Sequence, residues 1–214
     1  MDAKTLSIRS ATSADIAPLA AVLARSFYDD PPFAWVLPDP RSRMVRLERI
    51  FATILRAEIS GHGISGHDAV DVAVSGDRLA GGAIWMPPGG WPPGIREQLV
   101  TLPSYLRALG RRFPAGSNLT GALARVHPRE PHWYLSTIGV EPDCQGRGIA
   151  GSLLRPRLRV CDRTGQPAYL ESSKPGNVPL YQHFGFQSTG TPALPDGAPV
   201  ITAMWRSPGP PDVE

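Results

Sequence analysis

The sequence predicts one α/β domain built on a mixed sheet, and three observations carry this. AVDVAVS and RLAGGAIWM (69–75 and 78–86) alternate like two antiparallel strands, and Gly76-Asp77 supplies the turn between them. HWYLSTIGV (132–140), a helical pattern over 147–164 and PAYLES (167–172) read as strand, helix and strand. Upstream, two further stretches repeat apolar residues at helical spacing. The resulting order, β-α-α-β-β-(helical insert)-β-α-β-α-β-β, is a mixed sheet flanked by helices, not a regular βαβ array.

In chain order, LSIRS (6–10) reads as a short strand. Thr12 or Ser13 caps a helix from Ala14 to about Tyr28, with Ile16, Leu19, Ala20, Leu23 and Phe27 on one face. The four prolines of DDPPFAWVLPDP break it. A second helix over 41–59 aligns Met44, Leu47, Ile50, Phe51, Ile54 and Leu55. SGHGISGHD is a loop, and PPGGWPPG cannot be regular structure. Residues 95–109 and 117–125 read as helices of an insertion or lid spanning 88–130. The helix 147–164 turns Ile149, Leu153, Leu154, Leu158 and Cys161 inward. NVPLYQHF is a short helix, and GFQSTGT and PVITAMW are closing strands. A single domain over 1–206 with a flexible tail at 207–214 is expected.

Composition narrows the function. At 214 residues the chain can bury a substantial core. No unbroken apolar run is long enough to span a membrane, and the polar start MDAKTLSIRSATSAD lacks a secretory pattern. Cys144 and Cys161 make no disulfide framework, which fits a reducing cytoplasm. The formal charge is only +3, and all basic residues but Lys4 and Lys174 are arginine. Arg155, Arg157, Arg159 and Arg163 read as a solvated helix face, with no interleaved aromatics to stack bases. No nucleic acid and no membrane is expected as partner. His62 and His67 find no further ligands for a metal, and GISGH lacks the last glycine of a serine-hydrolase elbow.

The chemistry lies in GVEPDCQGRGIAGSLL (139–154). Gly146, Gly148 and Gly151 spell G-x-G-x-x-G, the dinucleotide fingerprint, and Glu171 follows Gly151 by 20 residues. Two facts oppose that reading. The segment EPDCQ separates strand from glycines, where a tight turn is required. Only 43 residues follow Glu171, too few to complete a doubly wound sheet. Gln145, Gly148 and Ala150 also spell Q-x-x-G-x-A. In that reading, backbone N–H groups at a helix start face a pyrophosphate, glycines admit its oxygens, Ala150 stays clear and Arg147 adds charge at the rim.

TIGVEPDCQGRGIAGSLL followed by PAYLESSKPGNVPLYQHFGF resembles the GNAT superfamily of acyl-CoA-dependent N-acetyltransferases. HPREPHWYLSTIGVEPDCQGRGIAGSLLRPRL, with Pro156 inside its helix, is similar to the puromycin N-acetyltransferase-like branch. SFYDDPPFAWVLPD is similar to an acceptor-side loop. The resemblance implies a sheet splayed at the acyl-CoA slot, with pantetheine beside Ile138, Gly139 and Val140. It implies a pyrophosphate held over Gln145, Gly146, Arg147, Gly148, Ile149, Ala150 and Gly151, and Asn177 on the cofactor arm. It places Tyr181 near the sulfur, where a phenol of ordinary pKa about 10 stays protonated and can donate to a thiolate. Cys144 needs no part in direct transfer.

The strand 133–140 carries no carboxylate, so Glu171, at the end of the next strand, is the first candidate for the base, directly or through water. A substrate-orienting role is its alternative. Tyr28, Asp30, Phe33 and Trp35 are the expected acceptor-side residues. The expected reaction moves acetyl from acetyl-CoA to a primary amine of a small molecule by direct attack in a ternary complex, in a monomer or homodimer. A peptide or protein amine as acceptor, or a non-catalytic CoA-binding sensor, is the alternative.

Overall fold

A computed structural model describes residues 6–59 and 69–210. The chain runs β1 (Leu6–Ser10), α1 (Ile16–Ser26), α2 (Pro31–Val36), α3 (Pro40–Ile59), β2 (Val70–Ser75) and β3 (Arg78–Met86). It continues through α4 (Ile95–Leu109), α5 (Phe113–Val126), β4 (Trp133–Val140), α6 (Ile149–Thr164), β5 (Ala168–Ser172), α7 (Val178–His183), β6 (Gln187–Gly190) and β7 (Thr202–Arg206). No described helix is long and apolar enough to cross a membrane. His62 and His67 lie outside the described residues.

Local chemistry sets the boundaries. Thr12 is the cap before α1: its N–H and hydroxyl both donate to Asp15, at 2.7 and 2.8 Å. Arg9 grips the same carboxylate with two bonds of 2.7 and 2.8 Å, holding its pKa well below the usual range. The stretch expected only to break the helix forms α2 instead. Pro31 and Pro32 fall in the first turn, where a missing N–H costs nothing. Likewise α5 begins at Phe113, four residues before the expected 117, with Pro114 in its first turn. Helix α6 starts at Ile149, not at 147, because Gly146 and Gly148 sit at φ +74° and +77°.

The seven strands form one sheet in the order β1-β2-β3-β4-β5-β7-β6. Every pairing is antiparallel except β4 with β5. That pairing covers only Trp133 to Leu135 against Ala168 to Leu170. Beyond it the strands part. Ser136 is an extra residue in the β3–β4 ladder, between Trp85↔Leu135 and Ile84↔Thr137, and a bulge there bends β4 away.

A core lies on each face. On one, α1 and α3 cover Val70, Val72 and Ile84, and Ala108, Leu109 and Leu119 bring α4 and α5 into the same cluster. On the other, Ile149, Leu153, Leu154 and Leu158 of α6 pack on Trp85, Leu135 and Leu170, with Tyr181 and Phe186 closing the end. The arginines of α6 are not all on a solvated face. Arg157 lies over the Trp133 ring at 4.5 Å and 3.7 Å from Asp71, with its side chain 11% exposed. Two different strands beneath α6 reach it, β2 with a carboxylate and β4 with an indole.

Candidate active site

Where β4 and β5 part, a cleft of about 510 Å³ opens. Its floor is the free edge of β4. The Glu141 N–H donates to Ala80 O of β3, while the Val140 N–H donates to Ser26 Oγ at 3.2 Å on the other side. Alternation along the strand then turns the N–H and C=O of Ile138 toward the cleft, with those of Val140. The Val140 carbonyl is occupied, accepting from Gln145 Nε2 at 3.1 Å. Ile138 therefore offers the open peptide edge, and Ser26 and Gln145 fix the strand's end.

One end of the cleft has the shape of an anion cradle. Gly146 and Gly148 are left-handed, and a Cβ built on either meets nothing within 4 Å. They are glycines for conformation and open approach, not for packing. The first amide of α6 with a helical partner is that of Ser152, bonded to Gly148 O at 3.0 Å. The preceding amides, with the helix dipole behind them, face the cleft. Arg147 is not on the cleft wall; its guanidinium donates to Asp143 O at 2.9 Å. Asn177 starts α7 without a side-chain capping bond and lines the cleft.

The other end holds the titratable groups. Tyr181 of α7 is 6% exposed and packs edge-on to Phe186. Burial, and then the charge of Asp30, pushes its pKa up to about 12. Asp30 itself is 3% exposed on the cleft wall, and burial raises its carboxyl above the usual range. Ser173 Oγ donates to Asp30 at 2.5 Å. Opposite, Glu171 reaches the cleft from β5 with a side chain 7% exposed, 3.8 Å from His127 Nδ1. Tyr134 and Tyr169 are pushed well above the usual phenol value, by burial first and the Glu171 charge second.

The structure thus brings Ile138, Gly139, Val140, Gln145, Gly146, Gly148, Ile149, Ala150, Gly151, Glu171, Asn177, Tyr181 and Asp30 to one cleft. Tyr28, Phe33 and Trp35 do not line it. The Tyr28 hydroxyl donates to Pro40 O with Arg43 over its ring. Phe33 packs against Phe27 and Phe51, and Arg112 covers Trp35. Cys144 touches the cleft, but burial and Asp143 raise its pKa, so it stays a thiol. Ser26, Ser136, Ser173 and Lys174 also line the cleft and had no signal in the sequence, because nothing local marks a residue that a distant element completes.

The GNAT acetyltransferase family model matches residues 116–186, which include β4, the cradle, Glu171 and Tyr181. An uncharacterized N-acetyltransferase of Schizosaccharomyces pombe is 32% identical over 176 residues, spanning 78% of this chain and 68% of that protein. The chain belongs to the GNAT family. It is an N-acetyltransferase. The N-alpha-acetyltransferase RimI of Mycobacterium tuberculosis is 34% identical over 105 residues, 47% of this chain and 63% of that protein. The crystal structure of a histone acetyltransferase HPA2 and related acetyltransferase from Corynebacterium glutamicum superposes with a TM-score of 0.72 at 27% identity, covering 98% of this chain and 99% of that one. GNAT acetyltransferases use acetyl-CoA, and the cleft suits it. The open left-handed glycines fit a pyrophosphate, and the free β4 edge fits an amide-bearing arm.

Proposed function

We propose that this GNAT enzyme transfers acetyl from acetyl-CoA to a primary amine of a small molecule, by direct attack with both substrates in the cleft. One observation carries the reading: two buried carboxylates and a protonated phenol stand on the walls of the same cleft as the anion cradle. Carboxylates attract a cationic amine, and a low-dielectric wall strengthens that attraction. The thioester is the chemistry acetyl-CoA supplies. Glu171 removes a proton from the amine, directly or through water, and Tyr181 holds a proton at its hydroxyl for the departing sulfur. Asp30, joined to Ser173, orients the amine. The sequence 127–158, with Pro156 in α6, supports a place in the puromycin N-acetyltransferase-like branch. Two free thiols fit a reducing cytoplasm.

The test is CoA release on mixing purified protein with acetyl-CoA and a panel of small primary amines, peptides and a no-amine control. Release with small amines is expected. Release with peptides alone would move the acceptor to a polypeptide. Tight acetyl-CoA binding without release across the panel would make the chain a sensor.

A further inference from the structure

Behind Glu171 lies a group of rings that the transfer reaction as described leaves unused. His127 follows the last residue of α5, and its amide donates to Leu123 O at 3.1 Å. Its imidazole is enclosed by Trp91 from the 87–94 loop, His132 ahead of β4, Tyr134 on β4, and Tyr169 on β5, with ring centroids 4.8 to 5.2 Å away. Glu171 Oε1 is 3.8 Å from its Nδ1, and the His127 side chain is only 6% exposed. Its Nε2 lies 3.1 Å from Nε2 of His132. His132 Nδ1 in turn lies 2.6 Å from the Glu130 carbonyl oxygen.

These contacts have a direction. A carbonyl only accepts, so at 2.6 Å His132 must donate from Nδ1. Neutral His132 therefore presents a lone pair at Nε2. His127 must then donate from its own Nε2 to make the 3.1 Å contact. Neutral His127 is left with a lone pair at Nδ1, the nitrogen 3.8 Å from Glu171 Oε1. Two hydrogen bonds thus make Nδ1 of His127 a proton acceptor beside the carboxylate on the cleft wall. A second proton on His132 would have to sit at Nε2, against the N–H of His127, whereas one on His127 sits at Nδ1 and breaks neither hydrogen bond. Burial also disfavours the charged form of His132.

We propose that His127, oriented by His132, forms a proton relay behind Glu171: the proton that Glu171 takes from the acceptor amine is passed to Nδ1 of His127, over a 3.8 Å contact that tightens to hydrogen-bond length when the substrates bind. This rests on Glu171 being the base. An ammonium acceptor loses two protons on becoming an amide. One leaves with the sulfur as thiol, and the other is the one held here. The N–H bond of the ammonium breaks, a carboxyl O–H forms and breaks, and an N–H bond forms at Nδ1. Glu171 returns to carboxylate beside an imidazolium, and water takes the proton when the product leaves. His127 and His132 touch no substrate; they are positioning residues that let one carboxylate stay ready as a base. The insertion between β3 and β4 thereby contributes to the chemistry, since it delivers His127.

The relay can be tested apart from catalysis. In the unaltered protein labelled with nitrogen-15 at histidine, long-range proton–nitrogen NMR reads each ring's tautomer. His132 should carry its proton on Nδ1 and His127 on Nε2 in the neutral state, and on acidification His127 should gain its second proton before His132. A neutral His127 protonated at Nδ1, or His132 charging first, overturns the relay, even if no amine is ever turned over. In kinetics, His127→Asn should lower kcat by roughly 10²-fold, the low end for a proton-transfer group, with little change in KM. The acid limb of kcat/KM should move to lower pH, because a lone carboxylate holds a proton less well than the pair. Adding His127→Asn to Glu171→Gln should cost nothing further. Multiplying losses, or an unmoved acid limb, would assign His127 to packing and overturn the relay.

Discussion

Tyr181 shows how a single side chain is prepared by its surroundings. Helix α7 buries its ring against Phe186, and Asp30 stands close enough for its charge to be felt. Both effects disfavour phenolate, so the hydroxyl keeps its proton at neutral pH. Tyr181→Phe removes that proton and leaves the ring packing. The turnover rate is expected to fall by roughly 10² to 10⁴, the usual scale of general acid catalysis. Acetyl-CoA affinity should stay within about twofold, since the cradle and the β4 edge lie elsewhere. Stopped-flow CoA release and calorimetric binding measure the two quantities separately. Loss of affinity together with melting temperature would make Tyr181 structural. At this scale the sequence was only half legible. Tyr181 and Glu171 lay inside a recognisable pattern. His127 and His132, five residues apart in HPREPH, lay inside a recognisable stretch too but carried no assigned role, because their meaning depends on a strand about forty residues downstream.

Among the elements, α6 and the loop before it form the proposed pyrophosphate site. The left-handed Gly148 ends the loop and opens the helix, and its empty flank gives access to the first-turn amides. Gly148→Glu strains that conformation by about 1–2 kcal/mol and places a carboxylate in the proposed pyrophosphate site. Wild-type protein should gain about 2.7 kcal/mol of stability at acetyl-CoA a hundredfold above Kd, and the variant none. Thermal melts with and without acetyl-CoA measure this. An unchanged gain in the variant would move the pyrophosphate elsewhere. The spacing of apolar residues announces α1, α3 and α6 without any tertiary context, because a periodic face is a local property. It did not reveal α2, where prolines that end one helix also open the next.

At the scale of the whole molecule, two cores clamp one sheet, and Arg157 ties its layers together. From α6 it reaches both Trp133 on β4 and Asp71 on β2, two strands away. The Asp71 side chain is 12% exposed and lies 3.7 Å from that cation. Arg157→Leu should destabilise the fold by roughly 3–5 kcal/mol, the range for breaking a buried pair. Adding Asp71→Asn should return part of the loss, because less buried charge is left behind. Urea unfolding of the three variants measures both steps. A loss below about 0.5 kcal/mol would show the pair to be solvated.

The sequence by itself determined the mixed α/β class, the antiparallel pair β2–β3, the long helices and the glycine cradle. Each of these is written in short-range spacing: alternation, helical period, or a left-handed turn that only glycine fills. The tertiary structure alone decided where the sheet opens. The register of β4 against β5 ends at Leu135 and Leu170 because Ser136 bulges against β3, and no local pattern announces a bulge. It alone decided that Asp30 is a wall of the cleft while Tyr28, Phe33 and Trp35 are not. The same holds for Arg157, which reads as solvent-facing until β2 and β4 are placed beneath it. Burial and charge are properties of what surrounds a residue, and those surroundings come from parts of the chain that only folding brings together.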